Sequence, residues 1–209
     1  MVETIQARNI TLLELVEKFD LQLVEDEDFF KEWREELPEL SEFEKQLLDQ
    51  VKASYLNLLL YPPMLENTVK MVILSPLLQL AGFYLPPFHI KSEAEIQITV
   101  EDEDTIVKGN IDVLVLHKRL WVLVIESKRQ EFSLSVGVAQ LLAYMLANPD
   151  ANKPTLGLLT NGGEFQFVKL TRQDTPQYAF SHSFNLRNPG NELYTLVRIL
   201  KRLAQILSV

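Results

Sequence analysis

The sequence predicts an α/β sheet domain with a helical addition at its N-terminal end. Apolar residues recur at helical spacing through most of residues 10–80, and the pattern changes to alternation and short apolar runs after residue 87. One helix, near residues 134–147, interrupts the strands, and another closes the sequence at residues 191–207. This order of helices, strands, helix, strands and helix is typical of a sheet covered by helices.

Composition and length favour one ordinary globular domain, or one domain with an extension. The chain has 209 residues, of which 47% are hydrophobic, so there is enough apolar surface for a core. The absence of cysteine excludes disulfides, thiolate zinc sites and cysteine nucleophiles. No apolar run approaches the ~20 residues of a spanning helix, and the polar N-terminus does not fit a secretory signal. We therefore expect a cytoplasmic protein that does not contact a membrane.

The charge is unevenly distributed. The net charge of −9 argues against a nucleic-acid partner, but residues 1–50 hold 15 acidic and five basic residues, so the remainder is close to neutral. We predict that residues 1–60 form an acidic helical extension packed on a core domain of residues 61–209. The acidic stretch is interpreted first as a solvated helical surface, with a mimic of DNA charge as the alternative.

Three helices are predicted in the extension, over residues 10–24, 29–37 and 41–60. Thr11 is the expected N-cap of the first helix. Pro38 is expected to end the second, because proline is not tolerated in a helix interior. Ser41 and Glu44 have the spacing of a capping box, which predicts the start of the third.

A fourth helix is predicted over residues 64–80, with an irregularity at Pro76 and Gly82 at its C-terminal end. Strands are predicted over residues 95–100, 106–116, 120–127, 155–160, 164–170 and 178–184. Acidic residues 101–104 are expected to form a turn, residues 117–119 a hairpin turn, and Asn161-Gly162-Gly163 a second hairpin turn.

The hairpin of residues 106–127 carries the functional signal. If its turn is centred near residue 119, Asp112 lies opposite Glu126, and Lys128 shares the face of Glu126. The face of the hairpin that carries Asp112, Glu126 and Lys128 is also expected to hold Leu114, Leu116, Val122 and Val124. The opposite face is expected to hold Ile111, Val113, Val115, Leu123 and Ile125. Since both faces are apolar, the two strands are expected to be central and covered on both sides.

Two carboxylates and one ammonium would therefore meet at the end of a buried hairpin. Opposed residues have β-carbons about 4.5–5.5 Å apart, and two desolvated carboxylates at that distance require a proton or a cation between them. Oxygen ligands without cysteine or histidine favour Mg²⁺ or Mn²⁺. The alternative is structural, with Glu126 and Lys128 reaching solvent at a strand end and Asp112 in a turn.

These residues resemble the signature of the PD-(D/E)XK nuclease superfamily. The similarity covers Gly109-Asn110-Ile111-Asp112, then Glu126-Ser127-Lys128, then Gln140 and Tyr144 of a Q-x-x-x-Y motif, with further likeness in residues 65–83 and 159–162. The pattern, over about residues 64–170, is similar to the RecB-like branch and to the nuclease domain of type I restriction enzyme motor subunits. Ile111 stands where the signature has proline.

The resemblance implies a restriction-endonuclease-like fold, with a central mixed sheet flanked by helices, over residues 61–209. It also implies that Asp112, Glu126 and the Ser127 carbonyl ligate Mg²⁺ or Mn²⁺, and that Glu66 completes the metal shell directly or through water. These are expectations from the family pattern.

Three further roles follow from the same resemblance. Lys128 would orient or deprotonate the attacking water, or stabilise charge on the phosphorane. Gln140 and Tyr144 lie four residues apart on one helix face, so they are expected to position DNA or support the metal ligands. Core packing is the alternative for Tyr144.

The function expected from the sequence is a Mg²⁺-dependent endodeoxyribonuclease. The alternatives are a catalytically silent nuclease-fold module that binds DNA or a partner protein, and an inhibitory protein whose acidic residues 1–50 mimic DNA. Expected partners are DNA, a second copy of the chain that would allow both strands to be cut, and a separate motor or specificity subunit, because no motor motif is present in the sequence.

Overall fold

The computed structural model describes residues 3–100, 105–117 and 120–207, in which eight strands form one mixed sheet flanked by helices. This confirms the α/β class. The predicted acidic turn at residues 101–104 and most of the hairpin turn, at residues 118–119, lie outside the described residues.

The strands are β1 Glu3–Gln6, β2 Gln22–Leu23, β3 Phe88–Val100, β4 Thr105–His117, β5 Leu120–Ser127, β6 Thr155–Thr160, β7 Glu164–Thr171 and β8 Gln177–Asn185. The α-helices are α1 Leu12–Phe19, α2 Glu42–Leu58, α3 Glu66–Thr68, α4 Ser75–Leu80, α5 Ser135–Leu146 and α6 Leu193–Leu207. A 3₁₀ turn spans Ala7–Asn9, and a π-helical segment, Val69–Leu74, joins α3 to α4. No helix in these residues is long and apolar enough to cross a membrane.

Two of the three helices predicted before residue 60 are present, but the first ends at Phe19, because Asp20 has a φ of 49° and Gln22–Leu23 pair with β8 as a strand. Thr11 and Ser41 both cap their helices through complete capping boxes, with Glu14 and Glu44 as the reciprocal partners. These side chains satisfy backbone donors that a helix start otherwise leaves unpaired.

The prediction of a helix over residues 29–37 is wrong, because this stretch forms successive turns. Within it, the Lys31 carbonyl accepts hydrogen bonds from the Arg34 and Glu35 amides at 2.9 and 3.0 Å, which close a single turn that is not continued. Glu36 has a φ of 52°, which a right-handed helix does not allow.

The helix over residues 66–80 contains the expected irregularity. The π-helical segment ends immediately before α4, in whose first turn Pro76 lies. Proline lacks the amide that a regular helix would use there, so wider hydrogen bonding just before it is physically reasonable. Gly82 has a φ of 86° and follows the helix as predicted.

Strand β4 organises the sheet, whose order is β1-β4-β5-β6-β7-β8-β2 with β3 on the remaining edge of β4. β3 pairs along the length of β4, so β1 and β5 share the opposite edge. β1 runs parallel to β4 and pairs with residues 105–108, whereas β5 runs antiparallel and pairs with residues 113–117. The carboxyl ends of β1 and β5 therefore converge on residues 109–112.

The predicted hairpin register is confirmed where β4 and β5 approach these residues. Val113 pairs with Ile125, and Val115 with Leu123. Extended by one pair, this register sets Asp112 opposite Glu126.

Two side-chain assignments in this hairpin are wrong. A register shift after Val115 makes Val122 an extra residue, and Val122 packs in the core under α2, α4 and α6 instead of the α5 core. Ile111 packs under α5, whereas Val113 packs in the core on the other face of the sheet. Since residues two apart on a regular strand share a face, the alternation of side chains along β4 is interrupted at Asp112. The interruption coincides with Glu93 of the paired strand β3, whose φ is 52°.

The acidic N-terminal region is integrated with the rest of the molecule. Besides β1, it contributes β2, which pairs with β8. Its acids form ion pairs with cations of α6 and β7, namely Glu39 with Arg198, Glu44 with Lys201, Glu36 with Arg202 and Glu32 with Lys169. The domain boundary at residue 60 stays a prediction.

Candidate active site

A cleft of about 900 Å³ opens where β1 and β5 converge on β4. It is lined by residues from the start of the chain, α3, β3, β4, β5 and α5. Of the residues predicted from the sequence, Glu66, Asp112, Glu126, Lys128, Gln140 and Tyr144 all line it. Residues separated by up to 78 positions are thus brought together at one end of the sheet.

Asp112 is 8% exposed, and each of its oxygens has a partner. Oδ2 accepts a hydrogen bond from the Ser127 amide at 2.7 Å, which ties β4 to the end of β5. Oδ1 accepts one from Lys70 Nζ at 2.6 Å, so an ammonium already balances part of this carboxylate's charge.

Glu126 is the most deeply buried carboxylate of the site, at 2% exposure. Oε1 accepts a hydrogen bond from Lys128 Nζ at 2.6 Å, while Oε2 is buried without a partner. Burial, followed by the nearby Asp112 charge, raises the pKa of Glu126 to about 8. A buried, unpartnered carboxylate oxygen is costly unless a proton or a cation occupies it.

Lys128 is held by a chain of short hydrogen bonds. Besides Glu126, its Nζ donates to Gln140 Oε1 at 2.6 Å, and Gln140 Nε2 donates to Tyr144 Oη at 2.7 Å. Tyr144 is 2% exposed, and burial, with the neighbouring Glu126 charge, raises the pKa of its hydroxyl. The motif helix α5 therefore orients Lys128 through Gln140 and Tyr144.

Ser127 and Glu66 occupy less direct positions. The Ser127 amide bonds to Asp112, and the Ser127 hydroxyl is buried without a partner. Glu66 is partly exposed, and its charge contributes to the raised pKa of Glu126. The roles predicted for the Ser127 carbonyl and for Glu66 as metal ligands stay predictions.

Lys70 is the residue that sequence reasoning missed at the site. Its Nζ lies 2.6 Å from Asp112 Oδ1 and 3.1 Å from Glu93 Oε1, and it joins the π-helical segment to β4 and β3. Its position one turn after Glu66 is the only sequence signal for it. Its contact with Asp112 depends on how the helix crosses the sheet.

The side chains that line the cleft are suited to bind a hard divalent cation. Asp112 and Glu126 offer carboxylate oxygens, one of them buried and unpartnered, and no softer donor lines the cleft. Mg²⁺ commonly binds proteins through one or two carboxylates, with water and substrate phosphates as its other ligands. A cage of three or more acidic or histidine side chains does not occur among the described residues, so an all-protein coordination shell is not expected.

The chain belongs to the family of type I restriction enzyme R protein N termini, whose model matches residues 25–176. Among solved structures, it is similar to a fragment described as an HsdR subunit of a type I restriction enzyme from Vibrio vulnificus YJ016, with 17% sequence identity and a TM-score of 0.39. That match covers 64% of this chain and 25% of the other, so the chain spans about a quarter of that relative. A search of curated proteins finds no match.

Proposed function

We propose that the chain is a Mg²⁺- or Mn²⁺-dependent endodeoxyribonuclease with a restriction-endonuclease-like fold of the PD-(D/E)XK type. The observation that carries this proposal is the buried pair of Asp112 and Glu126, because the unpartnered Oε2 of Glu126 must hold either a proton or a cation. Membership of the R protein N-terminal family supports a role on DNA in a type I restriction system, together with other subunits. We further propose that two copies of the chain form a homodimer, in which each copy cuts one strand of the DNA.

The proposed metal ligands are Asp112 and Glu126, with the Ser127 carbonyl as a third ligand and Glu66 completing the metal shell directly or through water. A dication held there would lower the pKa of a bound water and polarise the scissile phosphate. The Ser127 amide fixes Asp112, because its hydrogen bond sets the orientation of the carboxylate. Glu126 must lose its proton to bind a cation, so its raised pKa makes metal affinity increase with pH.

Lys128 has the geometry to act on the phosphate or on the attacking water. Its ammonium has three N–H donors, of which one points to Glu126 and one to Gln140. The third is available to a phosphate oxygen in the cleft, where it would stabilise negative charge in the transition state. Gln140 and Tyr144 keep the ammonium in this position.

The test is cleavage of supercoiled plasmid DNA with Mn²⁺. We expect wild type to nick the plasmid and Asp112→Asn or Lys128→Met to lower the rate by about 10²–10³, the usual effect of removing a group that stabilises the transition state. Lys153→Met is the matched control, because Lys153 is exposed and precedes β6 at the other end of the sheet. Cleavage that is equal in wild type and Lys128→Met would contradict the proposal.

A second candidate is a catalytically silent module that binds DNA or a partner. The observation in its favour is Lys70, which already neutralises part of Asp112. Calorimetric titration of Mn²⁺ separates the two functions. The nuclease requires that Asp112→Asn weakens Mn²⁺ binding, whereas unchanged affinity together with an uncut plasmid favours the silent module.

A further inference from the structure

One side of the cleft is formed by the start of the chain. We call this surface the N-terminal wall and define it as Gln6, Ala7, Arg8, Gln97 and Lys108, all of which line the cleft. Gln6 pairs with Lys108 across the parallel β1 and β4 strands, and Gln97 pairs with Lys108 from β3. Three polar side chains therefore lie in one row across three neighbouring strands.

The N-terminal wall is fixed against the rest of the site by close packing. Ala7 is 1% exposed. A β-carbon at Gly109 would lie 2.8 Å from the Ala7 β-carbon and 2.8 Å from the Tyr144 ring, so only glycine allows the 3₁₀ turn, β4 and α5 to approach so closely. The wall is thus in contact with Tyr144, which belongs to the hydrogen-bonded chain that orients Lys128.

The charges of the wall differ from those of α6. Arg8 and Lys108 are exposed, and neither has an acidic partner among the described residues. By contrast, the cations of α6 are paired with acids of the N-terminal region. In a chain of net charge −9, available cations therefore lie beside the acidic centre of the cleft.

We propose that the N-terminal wall binds backbone phosphates of the DNA strand that is cut, which rests on the proposed nuclease function. Lys108 precedes Asp112 by four residues on β4, a separation of about 13 Å at ~3.3 Å per residue. The wall therefore contacts a phosphate other than the scissile one. Arg8 and Lys108 supply charge, and the Gln6 and Gln97 amides supply hydrogen-bond donors of the kind that fix strand position without reading sequence.

Binding of a short fluorescein-labelled duplex, measured by anisotropy at several KCl concentrations with Ca²⁺ replacing Mn²⁺, tests the wall. The double variant Arg8→Gln/Lys108→Gln is compared with wild type and with the control Lys153→Gln. Each phosphate contact contributes about 0.9 to the slope of log K against log [salt]. We expect the double variant to weaken binding and to flatten this slope by about 1.8, and the control to change neither.

The outcomes distinguish the wall from the nuclease chemistry. If the double variant has the DNA affinity and the salt slope of wild type, the proposal that the wall binds phosphates is overturned, even if wild type cuts plasmid. If the double variant flattens the salt slope but wild type cuts no plasmid with Mn²⁺, phosphate binding by the wall is supported and the proposed nuclease activity is rejected. The double variant must have the same far-ultraviolet circular dichroism spectrum as wild type, which shows that it is folded. The charge reversal Arg8→Glu provides a second measurement, because it must weaken DNA binding further than Arg8→Gln does.

Discussion

Replacing Glu126 by glutamine should make the protein more stable at high pH. In the folded protein this carboxyl has a pKa of about 8 instead of its ordinary 4.5, whereas in the unfolded chain it ionises at the ordinary value. Between those pH values the folded state holds a proton that the unfolded state has released. The contribution of Glu126 to the free energy of unfolding therefore falls as pH rises, by up to about 1.4 kcal/mol per pH unit.

The accumulated effect is large enough to measure. Summed over this pH interval, the wild type should lose roughly 4 kcal/mol relative to Glu126→Gln by about pH 8, with little difference near pH 5. Lys128 Nζ offsets only part of the cost, because Oε2 has no partner. Mg²⁺ should restore stability to the wild type alone, by about 2.7 kcal/mol at a concentration 100 times its Kd.

Urea unfolding followed by fluorescence of the two tryptophans measures this difference. The curves are collected at several pH values, with and without Mg²⁺. Glu131→Gln is the matched control, because it makes the same substitution at an exposed carboxylate outside the cleft. If the wild type and Glu126→Gln keep a constant difference between about pH 5 and pH 8, the proton assigned to Glu126 does not exist.

Two further predictions concern the supports of the site. Gln140→Leu should lower plasmid cleavage by about 10–100-fold with unchanged thermal stability, because Lys128 loses the acceptor that orients it; a rate equal to that of wild type would remove Gln140 from this role. Gly163→Ala should destabilise the protein by about 1–3 kcal/mol, since a β-carbon there would lie 2.8 Å from Tyr55 Cζ and closer still to its hydroxyl. Calorimetry should show a Tm lower by about 2–4 °C per kcal/mol, with partial recovery in Gly163→Ala/Tyr55→Phe; a double variant no more stable than Gly163→Ala would contradict this contact.

The hairpin could be predicted because its information is local. Alternation and a short turn specify the register of β4 and β5, and this register sets Asp112 opposite Glu126. Capping boxes at Thr11 and Ser41 are equally local, and both are present.

The features that sequence reasoning missed depend on distant contacts. β1 has four residues and no distinctive alternation, and it is a strand because β4 offers a parallel edge about a hundred residues later. Lys70 meets Asp112 only because of the path of its helix. Val122 changes core because of a bulge, which a simple count from the turn does not include.

The π-helical segment makes the site sensitive to the length of the chain. A π-bulge holds one more residue than a regular turn, and each residue turns an α-helix by about 100°. Loss of a single exposed residue such as Met71 would let the turns before Pro76 wind as an ordinary α-helix. With Leu77 and Leu78 anchored in the core, Glu66 and Lys70 would swing away from Asp112 by about a quarter turn. A deletion that removes almost no buried surface would in this way separate the acid and the ammonium of the helix from the carboxylates of the sheet.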